Sequence, residues 1–107
     1  MPTYNKLVRD RIIEIIETSG RTPKHHVLDD EGYKSQLRIK LQEELQEYLT
    51  AEESTDSVEE LADLLEIIFA LGKVHGASES DLLAVRAKKA EERGGFEKRL
   101  FLERVEE

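Results

Sequence analysis

Glu59-Glu60-Leu61-Ala62-Asp63-Leu64-Leu65-Glu66-Ile67-Ile68-Phe69-Ala70-Leu71 is the stretch that decides the fold of this chain. Its apolar residues, continuing to Val74, keep a helical period. They also cover nearly the whole circumference of that helix, and a helix apolar on every side is normally buried on every side. The short neighbours available from one chain cannot wrap it, so a homodimer or larger homo-oligomer is expected. The run is too short to span a bilayer and is interrupted by Asp63 and Glu66.

Working outward, punctuation sets three more helices. Asp56-Ser57-Val58-Glu59 reads as a capping box opening the decisive helix, with Ser57 and Glu60 as an alternative register. Gly76 is a natural terminator beyond Val74. Upstream, Tyr33, Leu37, Leu41, Leu45 and Tyr48 recur at steps of three and four. They predict a helix from Asp29 or Asp30 to about Ala51, with Tyr33 and Tyr48 in its apolar stripe. Before it, Leu7, Val8, Ile12, Ile15 and Ile16 predict a first helix over residues 7–19, stopped by Gly20 and Pro23. After Gly76, a fourth helix starts at Ser78 or Ser80 and ends at Gly94-Gly95. Phe96, Leu100 and Leu102 then alternate loosely, which fits an extended C-terminal arm or a short helix. The expectation is an all-α, four-helix bundle in a single domain, residues 1–107, completed by homo-oligomerisation.

Composition agrees and narrows the function. In 107 residues there are 24 acidic and 16 basic side chains, a net charge of −8. Such a chain repels nucleic-acid backbones and anionic membranes and attracts cations. It has no cysteine, so disulfides and thiolate metal sites are excluded. The first residues lack the apolar core of a signal peptide, and a cytoplasmic location is expected.

Two pairs of acids carry the chemistry. Glu44 with Glu47, and Glu60 with Asp63, each stand three apart, on one helix face about 5–6 Å apart at Cβ. Glu44 borders the stripe between Leu41 and Tyr48. Asp63 is surrounded by Leu61, Ala62, Leu64 and Leu65 and should be substantially buried. A buried carboxylate needs a cation or a full set of hydrogen bonds. Four carboxylates without His or Cys suit Mg²⁺, or Mn²⁺, rather than zinc. Glu66, one turn beyond Asp63, either assists them or faces water. Glu43, Glu52, Glu53 and Glu59 read as a solvated face. His25-His26 reads as a solvated loop, and His75 as a cation suited to a helix end.

Glu44-x-x-Glu47, twelve residues, then Glu60-x-x-Asp63 resembles the metal-binding signature of the all-α nucleotide pyrophosphohydrolases, the MazG-type and phosphoribosyl-ATP pyrophosphohydrolase-like proteins. Tyr4-Asn5-Lys6-Leu7-Val8-Arg9-Asp10 is similar to the start of their small members, and Glu59-Glu60-Leu61-Ala62-Asp63-Leu64-Leu65-Glu66 to their third helix. Lys88-Lys89-Ala90-Glu91-Glu92-Arg93-Gly94-Gly95-Phe96 is similar to their closing motif. The resemblance spans residues 4–102. Ile13 stands where small members often carry Pro.

The resemblance implies hydrolysis of a nucleoside triphosphate between the α and β phosphates, giving a monophosphate and pyrophosphate. Mg²⁺ would be held by Glu44, Glu47, Glu60 and Asp63, with Glu44 or Glu47 taking the proton of the attacking water. Lys88, Lys89 and Arg93 then read as phosphate clamps beside a Gly-Gly turn, or as partners of a helix dipole. Asn5, Lys6 and Arg9 either contact the substrate or anchor the N-terminus. A non-catalytic oligomerisation or regulatory module, and a pathway enzyme acting on a phosphoribosylated nucleotide, are the alternatives.

Overall fold

The computed structural model describes residues 3–107 and is all-helical, with no strand among them. The four helices are α1 (Ile12–Thr18), α2 (Asp30–Thr50), α3 (Ser54–Val74) and α4 (Glu79–Arg93). Among the described residues, no helix is long and apolar enough to cross a membrane.

The helix ends follow from local chemistry. Asp29 caps α2 by accepting from the Gly32 amide at 2.8 Å. Ser78, the earlier of the two expected starts, opens α4 with a full capping box: its hydroxyl accepts from the Asp81 amide, and its own amide donates to the Asp81 carboxylate. The Ser78 backbone amide first, and then the Ser78 side chain, hold the Asp81 carboxyl below its ordinary value. At the end of α3, Gly76 adopts φ +83°. Its amide donates to the Lys73 carbonyl and the Ala77 amide to the Gly72 carbonyl, the pairing of a Schellman stop.

Two boundaries differ from expectation. The first helix does not begin at Leu7. Leu7 and Val8 precede a turn in which the Ile12 amide donates to the Arg9 carbonyl, and only Ile12–Thr18 is helical. Arg9, in that turn, makes an ion pair with Asp63 on α3. The third helix begins two residues before Asp56. Its cap residue is Glu53, without a side-chain cap bond, and Asp56 lies inside the first turn, where its charge suits the dipole. The link between α2 and α3 thereby shrinks to residues 51–53, which forces the two 21-residue helices into an antiparallel hairpin.

That hairpin is the centre of the chain. Leu37 lies thirteen residues before the end of α2 and Ile67 thirteen after the start of α3, so the hairpin sets them level. Among the described residues they are the buried hydrophobic ones, at 4% and 7% exposure. α4 packs on α3 alone, where Gly72 admits the Leu82 side chain, and α1 packs on none of the other helices. Within one chain α3 is therefore not covered all round. Val58, Leu61, Leu65 and Ile68, at steps of three, four and three, remain an exposed stripe. Residues 96–107 form an exposed arm without regular structure rather than a short helix.

Candidate metal centre

The hairpin sets the acids by the same geometry. Glu44 lies six residues before the end of α2 and Glu60 six after the start of α3. Antiparallel pairing brings them level, with Glu47 one turn nearer the link. One carboxylate oxygen from each of Glu44, Glu47 and Glu60 lies within 4.8 Å of the others. Glu44 and Glu60 are half-buried and Glu47 is exposed.

The cluster is short of positive charge. The Oε2 atoms of Glu44 and Glu60 are both buried without a hydrogen-bond partner. The nearest cation on the same helix, the Lys40 Nζ, stands 4.0 Å from Glu44 Oε1. Burial, and then the carboxylates of Glu60, Glu47 and Asp63, push the Glu44 carboxyl up to about 7. For Glu60, a proton shared with Glu44 acts downward, but burial and the charges on Glu47 and Asp63 outweigh it, and its carboxyl is raised as well. Two half-buried carboxylates with orphaned oxygens need either a proton or a cation. An all-oxygen set of this kind fits a hard divalent ion such as Mg²⁺ or Mn²⁺.

Asp63 is placed differently from its three companions. Its Oδ1 accepts from Arg9 Nη2 at 2.7 Å, and its side chain is 39% exposed, more open than its apolar neighbours suggested. Those neighbours, Leu61 and Leu65, are themselves uncovered. Asp63 still contributes negative charge to Glu44 and Glu60, so it borders the cluster while paired to Arg9. Glu66 is exposed and stands outside the cluster.

The basic candidates divide into two groups. Asn5 and Lys6 line a small cleft of about 140 Å³ against Gln36, Ile39, Lys40 and Glu43 of α2, next to the acids. Lys40 was not singled out by the sequence reading; its signal is its position four residues before Glu44, one helical turn away. Lys88, Lys89 and Arg93 lie on the far part of α4, which does not contact α2. All three are exposed, and Lys88 pairs with Glu92 at 4.0 Å. His25 and His26 are exposed in the loop before α2, and His75 caps α3.

No known protein family matches the chain, and no solved structure does. It is similar to an uncharacterized protein of Mycolicibacterium smegmatis, with 49% identity over 47 residues. That stretch is 44% of this chain and 48% of the other, so the chain spans about half the length of the relative it matches.

Proposed function

We propose that the chain is a MazG-like, Mg²⁺-dependent nucleoside triphosphate pyrophosphohydrolase acting on standard or damaged (deoxy)nucleoside triphosphates. The observation that carries this reading is the convergence of Glu44, Glu47 and Glu60 with two buried, partnerless carboxylate oxygens. The motif resemblance supplies the reaction class.

In this reading Glu44 and Glu60 hold the cation from the hairpin interior and Glu47 from its rim. A bound divalent ion supplies the positive charge that an acidic surface lacks toward a triphosphate, and it acidifies a water. Glu47, the exposed member, accepts the proton of the attacking water. The water oxygen bonds to the α phosphorus, the bond from that phosphorus to the bridging oxygen breaks, and pyrophosphate leaves. Lys6 and Lys40, beside the cleft, face the polyphosphate, and Asn5 offers a neutral hydrogen-bonding partner. Arg9 and Asp63 form an adjoining pair from which either partner can be recruited.

The test is product identity. Equal amounts of nucleoside monophosphate and pyrophosphate, formed with Mg²⁺ and not with EDTA, support the reading. Nucleoside diphosphate with orthophosphate would place the cleavage at the wrong bond. The exposed stripe on α3 favours a second reading, a helical association module without turnover. A folded, oligomeric protein inert toward every triphosphate and toward phosphoribosylated nucleotides would select it.

A further inference from the structure

Polar links between distant parts of this chain are scarce. Among the described residues, the side-chain hydrogen bonds and ion pairs join positions two to four apart, with one exception. Arg9 Nη2 donates to Asp63 Oδ1 at 2.7 Å across fifty-four residues. That link ties the N-terminal segment to the hairpin. α1 packs on no other helix, and the segment before it rests on α2 through the cleft that Asn5, Lys6 and Leu7 line.

The acceptor is a particular acid. Asp63 stands three residues after Glu60, on the same helix face, yet it is not among the carboxylates that converge within 4.8 Å. Its negative charge still reaches Glu44 and Glu60, and the cation that answers it comes from the N-terminal segment. The link is also weak. It is a single hydrogen bond, not the bidentate fork that Arg and a carboxylate can form, and the two side chains are 57% and 39% exposed. Pairs this open to water shift an equilibrium by up to about fivefold. A divalent ion among these carboxylates has twice the charge of a guanidinium with which to compete for Asp63.

We propose that Arg9 is a latch on the acid cluster: without metal its guanidinium stands in for the cation at Asp63, and when a divalent ion occupies Glu44, Glu47 and Glu60, Asp63 turns to the ion and Arg9 is freed to grip a phosphate group. The release rests on the metal reading of the cluster; the Arg9–Asp63 pair does not. Lys6 and Asn5 stand three and four residues before Arg9, so the freed guanidinium adds a third cation to a cleft that already presents Lys6 and Lys40. Its planar fork suits phosphate oxygens. Metal and anion then favour each other. The ion releases the clamp, the anion keeps it from returning to Asp63, and the coupling factor is the same in both directions. With no metal bound, Arg9 is engaged and the cleft is one cation short, so a polyphosphate binds the metal-loaded chain in preference.

The test needs no turnover. Full-length chain is treated with phenylglyoxal, which modifies free guanidinium groups, and the rate at each arginine is read by fragment mass spectrometry. Mg²⁺ binding is followed in parallel by isothermal titration calorimetry. Arg11, which pairs with Glu14 of its own segment, is the internal reference. Relative to Arg11, Arg9 should react slowly in EDTA and about two- to fivefold faster in saturating Mg²⁺, the span set by an exposed pair. It should slow again when inorganic pyrophosphate is added to the Mg²⁺-loaded protein. Asp63→Asn, with its helical circular dichroism checked, should react fast already in EDTA and gain nothing from Mg²⁺. An Asp63→Asn chain no faster than wild type in EDTA overturns the latch. So does an Arg9 rate that Mg²⁺ leaves unchanged while the calorimeter records binding, and in that case the metal centre stands. An Arg9 that Mg²⁺ frees and pyrophosphate does not protect overturns the transfer to phosphate. No Mg²⁺ binding by the wild type overturns the metal reading, and the release with it.

Discussion

Burial leaves Glu44 with a carboxyl raised to about 7, so a proton and a cation compete for it across the physiological range. A ligand that must shed one proton to bind weakens by the factor 1 + 10^(pKa − pH), which makes Mg²⁺ about tenfold weaker at pH 6 than at pH 8. In a thermal melt at about ten times the pH 8 dissociation constant, the metal-induced stabilisation differs between the two pH values by about 1 kcal/mol. For a domain of this size that is about 4–8 °C in Tm. The metal-free protein moves the other way. The folded-state value lies above the ordinary 4.5, so the contribution is fully present below about 4.5 and is lost as pH rises through about 7. Glu44→Gln, which cannot ionise, should therefore melt higher than wild type in EDTA at pH 8 and lose most of the gain from Mg²⁺. Differential scanning fluorimetry at fixed protein concentration reads both effects. A Mg²⁺ shift of equal size at pH 6 and pH 8, or a Glu44→Gln protein that melts below wild type in EDTA at pH 8, would refute the reasoning.

Three further outcomes follow from the same structure. Ser78→Ala removes the hydroxyl half of the capping box of α4 and should cost about 1 kcal/mol, read from the urea midpoint at unchanged slope. Ile67→Ala empties a position that is 7% exposed and should cost about 2–5 kcal/mol, enough to show as lost helical circular dichroism at 37 °C. Unchanged melting would mean that Ile67 is not in the core. Arg9→Gln releases the Asp63 carboxylate beside the acid cluster and should tighten Mg²⁺ binding severalfold by isothermal titration; weaker binding would mean that Arg9 organises the cluster instead of competing with it.

Much of the fold was legible because caps and stops act locally. Asp29, Ser78, Gly76 and Gly94 mark helix ends in the sequence and do so in the structure. The late start of α1 was not legible, because the segment before it makes a contact that is not local: Arg9 pairs with Asp63, fifty-four residues away. The start of α3 was missed because two overlapping capping patterns followed a cap that uses no side chain. The meeting of Glu44, Glu47 and Glu60 was legible from spacing once a short hairpin was assumed, since equal distances from a tight link imply equal height. Asp63 shares their spacing but has a basic partner that arrives from the N-terminal segment, and no periodicity announces that. Lys88, Lys89 and Arg93 were singled out as residue types, but their distance from the acids within one chain depends on how α4 leaves α3.

The most direct test of the central claim is pyrophosphate release from a panel of ribo- and deoxyribonucleoside triphosphates, with wild type and Glu60→Gln measured side by side in Mg²⁺. Release by the wild type from at least one substrate is expected, abolished by EDTA and by Glu60→Gln while the circular dichroism of the variant stays helical. Equal release by both proteins would show that the carboxylates of the α2–α3 hairpin do not form the catalytic metal centre.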